Sequence, residues 1–161
     1  MAAIPKGKCL EHGGDYETEL QKIASERGLV VIFYYYNASV CITVKRDGDV
    51  VGVLTIMEDQ DLMFRDGASE HKQLYLGSIK VEPAYRGDKI GTMLMAMAYR
   101  LALSRESGLR YYWTPAEREE SPAAFHAKVL ERFKLGPPTV YNTAHVPFER
   151  ISENADFICI K

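Results

Sequence analysis

The chain has 161 residues, of which 47% are hydrophobic and 26% charged, the size and composition of one ordinary globular domain. Its formal net charge of -2 gives no bulk attraction to nucleic acid or to an anionic membrane, so we expect neither as a partner. The cysteines Cys9, Cys41 and Cys159 are too widely separated for a disulfide framework or a zinc-ligand spacing, so we expect no metal.

The N-terminal segment gives an expectation about compartment. Residues 1–14, MAAIPKGKCLEHGG, lack the apolar stretch of a signal peptide. The longest apolar run, Leu29–Tyr36, is far shorter than a membrane span. The sequence therefore predicts a cytoplasmic protein, with residues 1–14 as an irregular lead-in and residues 15–161 as the domain.

Between residues 15 and 81 the patterns predict a helix followed by strands. Tyr16, Leu20, Ile23 and Ala24 have helical spacing, and Gly28 is placed to end that helix. Runs rich in β-branched and aromatic residues then predict four strands, over Leu29–Tyr36, Ser39–Arg46, Val50–Met57 and Leu74–Val81. The polar residues 58–73 are predicted to form a loop.

Beyond residue 89 the apolar spacing changes to that of a helix. Residues Ile90 to about Arg105 show a period of 3.6, and Gly108 is predicted to close this helix. The elements predicted after it are a strand over Arg110–Trp113, a helix over Ser121–Phe133, and a final strand pair over Val140–Asn142 and Phe157–Ile160. This order favours an α/β sheet with helices on its faces over a regular βαβ alternation.

The segment most informative about function is LYLGSIKVEPAYRGDKIGTMLMAMAYRLAL, in which a strand runs into a loop that opens a helix. The first turn of a helix has backbone N–H groups without intrahelical partners and a partial positive charge, so it favours an anion. Gly87 and Gly91 let the backbone approach a phosphate closely, and Arg86 adds a cation. The residues alone indicate an anion site at the start of this helix.

The run V-x-P-x-Y-R-G-x-x-I-G-x-x-L resembles motif A of the GNAT family of N-acetyltransferases, whose core pattern is (Gln/Arg)-x-x-Gly-x-(Gly/Ala). The resemblance implies that acetyl-CoA is the co-substrate. The residues implied to bind its pyrophosphate are Arg86, Gly87, Asp88, Lys89, Ile90, Gly91 and Thr92, and those implied to pair with pantetheine are Ile79, Lys80 and Val81. Lys89 departs from the family's glycine, and a positive φ there would cost about 1 kcal/mol.

The resemblance also implies an α/β fold: a single GNAT-like domain with a mixed, mostly antiparallel twisted sheet flanked by helices. The implied reaction moves an acetyl group directly from acetyl-CoA to a primary amine of a small molecule or a protein. The family's strand glutamate, often its base, aligns with Tyr75, and its helical tyrosine, often its acid, aligns with His126 or near Leu130. An imidazole exchanges protons near neutral pH, and Tyr141 and Tyr112 are further candidates.

Two other interpretations stay open. Because the strand over 74–81 has no carboxylate, the chain is alternatively a catalytically degenerate GNAT-fold module that binds CoA or a protein. An anion or nucleotide binder unrelated to CoA is a third, disfavoured because the sequence has neither GxxxxGK[ST] nor GxGxxG. The predicted partners are acetyl-CoA, an amine acceptor and a second copy in a homodimer.

Overall fold

The computed structural model describes residues 15–58, 73–86, 89–112, 122–136 and 143–158. They form a six-stranded sheet in the order β1 to β6, antiparallel except where β4 and β5 pair in parallel. The strands are β1 Val30–Tyr36, β2 Ser39–Arg46, β3 Asp49–Glu58, β4 Gln73–Val81, β5 Gly108–Tyr112 and β6 Thr143–Val146, and the helices are α1 Asp15–Ser25, α2 Ile90–Ser104, α3 Pro122–Arg132 and α4 Phe148–Glu153. The predicted α/β class with a mixed, mostly antiparallel sheet is confirmed.

Tight turns set the register of the first three strands. Asn37, with φ 53°, lies between β1 and β2, and Asp47 and Gly48, with φ 51° and 86°, lie between β2 and β3. Two-residue hairpin turns require positive φ, which asparagine, aspartate and glycine adopt most readily. The register that follows turns alternate residues of β2, Val40, Ile42 and Val44, into the core.

The core lies where α2 packs against the sheet. This helix contacts β3, β4 and β5 and also α1 and α4. Ten of its fifteen residues are buried, so it is apolar almost all round, as a central helix must be. None of the described helices is both long and apolar enough to cross a membrane.

Two sequence predictions in the second half of the chain are wrong. Gly108 does not close α2, which ends at Ser104, but begins β5. Phe157 and Ile158 are not in a strand, because Phe157 ends a short 3₁₀ helix and Ile158 follows it. The guanidinium of Arg100 donates to the carbonyls of Ile158 (2.8 Å) and Ala155 (2.9 Å). These carbonyls therefore bond to a side chain, whereas in a strand they would bond to the backbone of a neighbouring strand. The other predicted partner, Val140–Asn142, lies outside the described residues.

Candidate functional site

The parallel strands β4 and β5 are paired at only three described positions. Gln73 pairs with Gly108, Leu74 with Leu109 and Tyr75 with Arg110, and there the described pairing of the two strands ends. Residues 76–81 of β4 continue along β3. Among the described residues, the backbone of this part of β4 is therefore outside the ladder with β5, and we call this point of separation the β4–β5 cleft.

A β-bulge falls where the two strands separate. In the β3–β4 register Thr55 faces Ser78 whereas Ile56 faces Leu76, so Gly77 is the extra residue. A bulge bends its strand and turns backbone groups out of the ladder. No bulge was predicted in this strand, although a glycine inside a strand is a recognised signal of one. Gly77 lies about 13 Å along β4 from Val81.

The far end of β4 leads directly to the first turn of α2. Glu82 N–H bonds to the carbonyl of Val51 at 2.9 Å, a short 3₁₀ helix covers Pro83–Tyr85, and Arg86 Nε donates to the carbonyl of Val81 at 3.4 Å. These contacts fix the path by which the strand reaches the helix. The predicted residues Gly87 and Asp88 lie outside the described part of the chain.

Lys89 has the left-handed conformation that its place in the motif required. Its φ and ψ are 61° and 23°, and as the N-cap of α2 its carbonyl accepts the N–H of Met93 at 3.0 Å. Arg27 Nη1 also donates to this carbonyl, at 3.4 Å. The sequence left open whether this position needs a positive φ; the structure shows that it has one, so an L-residue with a Cβ is held where glycine is favoured.

Replacing Lys89 with glycine should stabilise the fold. We expect Lys89→Gly to raise the free energy of unfolding by about 1 kcal/mol, because it removes the Cβ clash of the left-handed backbone. Urea denaturation measures the change. Lys22→Gly, inside α1, is the contrasting control and should lower the free energy of unfolding by about 1 kcal/mol, because glycine is unfavourable within a helix. A loss of stability in Lys89→Gly would contradict the strain assigned to Lys89.

Gly91 lies beneath an aromatic ring of α3. A Cβ at Gly91 would be 3.0 Å from Cε1 and from Cζ of Phe125, and 3.6 Å from Cγ2 of Val81. The absence of a side chain therefore lets three segments meet: the end of β4, the first turn of α2 and α3. The structure thus brings together Val81, Arg86, Lys89 and Gly91 from the predicted site.

Tyr75, one of the three candidate catalytic residues, lies apart from that junction. Tyr75 is the last β4 residue paired with β5, about 20 Å along the strand from Val81. Its ring is 5.9 Å from that of Tyr112, and the guanidinium carbon of Arg110 lies 5.7 Å from its centroid. Tyr141 lies outside the described residues.

His126 faces the interior. Its side chain is 4% exposed and packs on Phe125 and on Tyr111 of β5, with ring centroids 5.0 and 5.2 Å away. Burial lowers the pKa of His126 from 6.5 to about 4, so the imidazole is neutral at pH 7. The hydroxyls of Tyr111 and Tyr99 are hydrogen-bonded at 2.7 Å, and burial raises the pKa of both.

The buried His126 should make the fold weaker in mild acid. Above pH 7 the imidazole is neutral whether the chain is folded or unfolded. As the pH falls from 6.5 to 4, the unfolded chain binds a proton that the folded chain does not, so the free energy of unfolding decreases by at most about 3 kcal/mol. Denaturation of wild type and His126→Gln at pH 7 and pH 5 measures this, and an equal decrease in both proteins would contradict it.

Comparison with known proteins identifies the class to which this fold and cleft belong. A family model described as Acetyltransferase (GNAT) family matches residues 11–130, so the chain belongs to this family. The family predicted from the loop motif is thereby confirmed. Among curated proteins none matches the chain.

Several solved structures share the fold at low sequence identity. The KacTA–DNA complex aligns with a TM-score of 0.55 and 18% identity over 91% of this chain and 87% of that one. A mutant of the AtaT toxin, bound to the C-terminus of the antitoxin AtaR and acetyl-CoA, aligns with a TM-score of 0.52 and 21% identity over 71% of this chain and 70% of that one. AtaTR bound with acetyl-CoA aligns with a TM-score of 0.50 and 18% identity over 72% of this chain and 71% of that one.

Within the described ranges no group of three histidine, cysteine, aspartate or glutamate side chains is arranged to hold a metal ion.

Proposed function

We propose that this protein is an acetyl-CoA-dependent N-acetyltransferase that moves an acetyl group directly to a primary amine. Membership of the acetyltransferase family supports the reaction class. The single observation that carries the proposal is the parting of β4 from β5 at Tyr75, on a strand that runs into the first turn of α2. One continuous path then offers a strand edge that lies outside the described β4–β5 ladder and, at the start of α2, N–H groups suited to an anion.

The residues along this path fit the chemistry of acetyl-CoA. The first turn of α2 offers the N–H groups of residues 90–92 to the pyrophosphate, with Arg86 and Lys89 as nearby cations. The edge of β4 from Gly77 to Val81 offers backbone groups to the amides of pantetheine, in the way a strand edge accepts an added strand. Two similar structures contain acetyl-CoA.

Direct transfer then needs little further machinery. The neutral amine nitrogen bonds to the thioester carbonyl carbon, the carbon–sulfur bond breaks, a base takes the amine's proton, and the CoA thiolate takes up a proton. A backbone N–H turned out of the ladder at the Gly77 bulge is suited to polarise the carbonyl. Positioning of the two reactants supplies much of the remaining rate.

The candidate side chains receive different roles in this proposal. Tyr75 lies where the cleft begins, beside Tyr112 and Arg110, and is our candidate for contact with the acceptor. His126, neutral and packed between α3 and β5, is suited to hold Phe125 in place rather than to donate a proton at pH 7. Tyr141 stays a predicted acid outside the described residues.

The partners remain predictions. Similar structures include a toxin with its antitoxin and a DNA complex, so the expectation of no nucleic-acid partner has no support from the comparisons. A homodimer and a cytoplasmic location are likewise predictions made from the sequence alone.

Acetyl-CoA binding and turnover test the proposal in two stages. Saturating acetyl-CoA should raise the melting temperature, because a ligand that binds only the folded state stabilises it. Release of free thiol with a panel of primary amines should then exceed release without amine. A shift without turnover on any amine would favour the degenerate binding module. A larger shift with ATP than with CoA would favour an unrelated nucleotide binder.

A further inference from the structure

A row of side chains on one face of the sheet lies where the β4–β5 cleft begins. The register pairs Tyr75 of β4 with Arg110 of β5, and Arg110 with His145 of β6. Tyr111, the next residue of β5, is buried and hydrogen-bonded to Tyr99 of α2. Because successive side chains of a strand point to opposite faces, Arg110 and the residues paired with it lie on the face of the sheet away from α2.

Aromatic rings position the guanidinium of Arg110. Its central carbon lies 5.7 Å from the ring centroid of Tyr75, whose ring lies 5.9 Å from that of Tyr112. Such contacts occupy the face of a guanidinium, whereas its N–H donors lie at the edge and match a carboxylate or phosphate with paired hydrogen bonds. Tyr112 is 65% exposed, so a ligand can approach from this side. We call Tyr75, Arg110, Tyr112 and His145 the Arg110 cluster.

The charge of this surface favours an anion over a cation. No carboxylate occurs among the described residues of this row and the next, which are Met57, Tyr75, Arg110, His145, Tyr112 and Thr143. Glu58 follows Met57 on β3, but it pairs with Leu74 of the core and so belongs to the opposite face. A positioned guanidinium attracts an anionic group and repels a cationic one.

The Arg110 cluster lies close to the place proposed for the reacting carbonyl. Tyr75 is two residues before Gly77, whose bulge is suited to polarise the thioester carbonyl. Two residues of extended strand span about 7 Å. An acceptor whose anionic group and amine are separated by a few bonds can therefore contact Arg110 while its nitrogen approaches the carbonyl carbon.

We propose that Arg110 binds an anionic group of the acceptor, which makes the substrate a small amine that also carries a carboxylate or a phosphate. The inference rests on the proposed function, because it needs acetyl transfer to occur at the β4–β5 cleft. A paired, charge-assisted hydrogen bond to Arg110 corresponds to a preference of about tenfold or more over an uncharged analogue. Diamines of similar length should be poor acceptors.

Matched acceptors test the charge preference. Short ω-amino acids are compared with their carboxamides and with diamines of the same length, and ethanolamine phosphate is compared with ethanolamine, by release of the CoA thiol. Each kcat/KM is divided by the fraction of neutral amine, since the amine pKa differs within a set. The wild type should favour the anionic member by about tenfold, and the set with the larger ratio identifies carboxylate or phosphate as the group bound.

Variants of Arg110 assign the preference to its guanidinium. Arg110→Gln should reduce the ratio to about twofold or less, and Arg110→Glu should reverse it in favour of the diamine. Arg110→Lys keeps the charge without the paired donors and should retain part of the ratio. Lys45→Gln removes a positive charge from β2, outside the Arg110 cluster, and should leave the ratio unchanged.

The outcomes separate this inference from the proposed function. A wild type that prefers carboxamides or diamines, or that makes no distinction, would overturn the inference and leave the function standing, as would an unchanged ratio in Arg110→Gln. Absence of turnover with every amine, anionic or not, would overturn the proposed function itself. A melting-temperature shift with acetyl-CoA shows that a variant is folded with its cofactor site intact. If Arg110→Gln is not folded, inhibition of the wild type replaces it: butanoate but not butanol should compete with the amine, and equal effects would contradict the inference.

Discussion

Gly91→Val should abolish measurable acetyl-CoA binding. A Cβ alone would be 3.0 Å from the ring of Phe125, and the two further methyl groups of valine would force that ring or the first turn of α2 to move. Loss of two N–H contacts to the pyrophosphate corresponds to a fall in affinity of about 100-fold or more. Titration calorimetry measures the affinity, and the melting-temperature shift with acetyl-CoA should disappear.

Two controls separate this loss from general destabilisation. Gly91→Ala adds the Cβ alone and should weaken binding by an intermediate amount. Leu20→Ala, in the buried face of α1, should lower stability by about 2–5 kcal/mol and leave the affinity of the folded protein unchanged. Wild-type affinity in Gly91→Val would show that the cofactor site is elsewhere.

Gly108→Ala should destabilise the protein by about 3 kcal/mol, because it strains the point where β4, β5 and β6 meet. A Cβ at Gly108 would be 2.8 Å from the carbonyl oxygen of Val146 and 2.6 Å from the side-chain oxygen of Gln73. The backbone oxygen cannot move without disturbing β6, and Gln73 is hydrogen-bonded to His145 at 3.1 Å. For a domain of this size the melting temperature should fall by roughly 10 °C.

Gly77→Ala is the matched control for this prediction. Its added Cβ would be 2.7 Å from the terminal methyl carbon of Met57. This distance is shorter than the 2.8 Å backbone contact at Gly108, but the atom contacted is the end of a side chain. A flexible side-chain end can rotate away, so we expect a loss below about 1 kcal/mol. Equal losses in the two variants would contradict the distinction between backbone and side-chain contacts.

Local patterns predicted most elements of the fold. β2 spans Ser39–Arg46 as expected, because β-branched residues fill it and turn residues bound it on both sides. α2 begins at Ile90 and ends within a residue of the prediction, since its apolar period is unbroken. The strand expected at Phe157 failed because long-range hydrogen bonds from Arg100 hold that segment, and no local pattern reveals them.

The candidate site was predictable only where its residues are contiguous. The strand–loop–helix motif located the first turn of α2, but it left open the backbone conformation of Lys89, which the structure shows to have a positive φ. The cleft depends on where β4 leaves β5, and the Arg110 cluster depends on the register of β4, β5 and β6. Both are relations between segments distant in sequence, which composition and periodicity do not encode.

For the proposed transfer to an amine, the buried pair Tyr99 and Tyr111 limits how alkaline an activity measurement can be. An alkylamine acceptor becomes a nucleophile as the pH approaches its pKa, near 10.4 for a lysine-like amine. Tyrosines in the unfolded chain lose their protons near pH 10, whereas burial raises the pKa of Tyr99 and Tyr111, so the free energy of unfolding decreases as the pH rises above 10. Rates should therefore rise with pH and then collapse as tyrosinate absorbance appears, and in Tyr99→Phe, Tyr111→Phe the collapse should shift to higher pH.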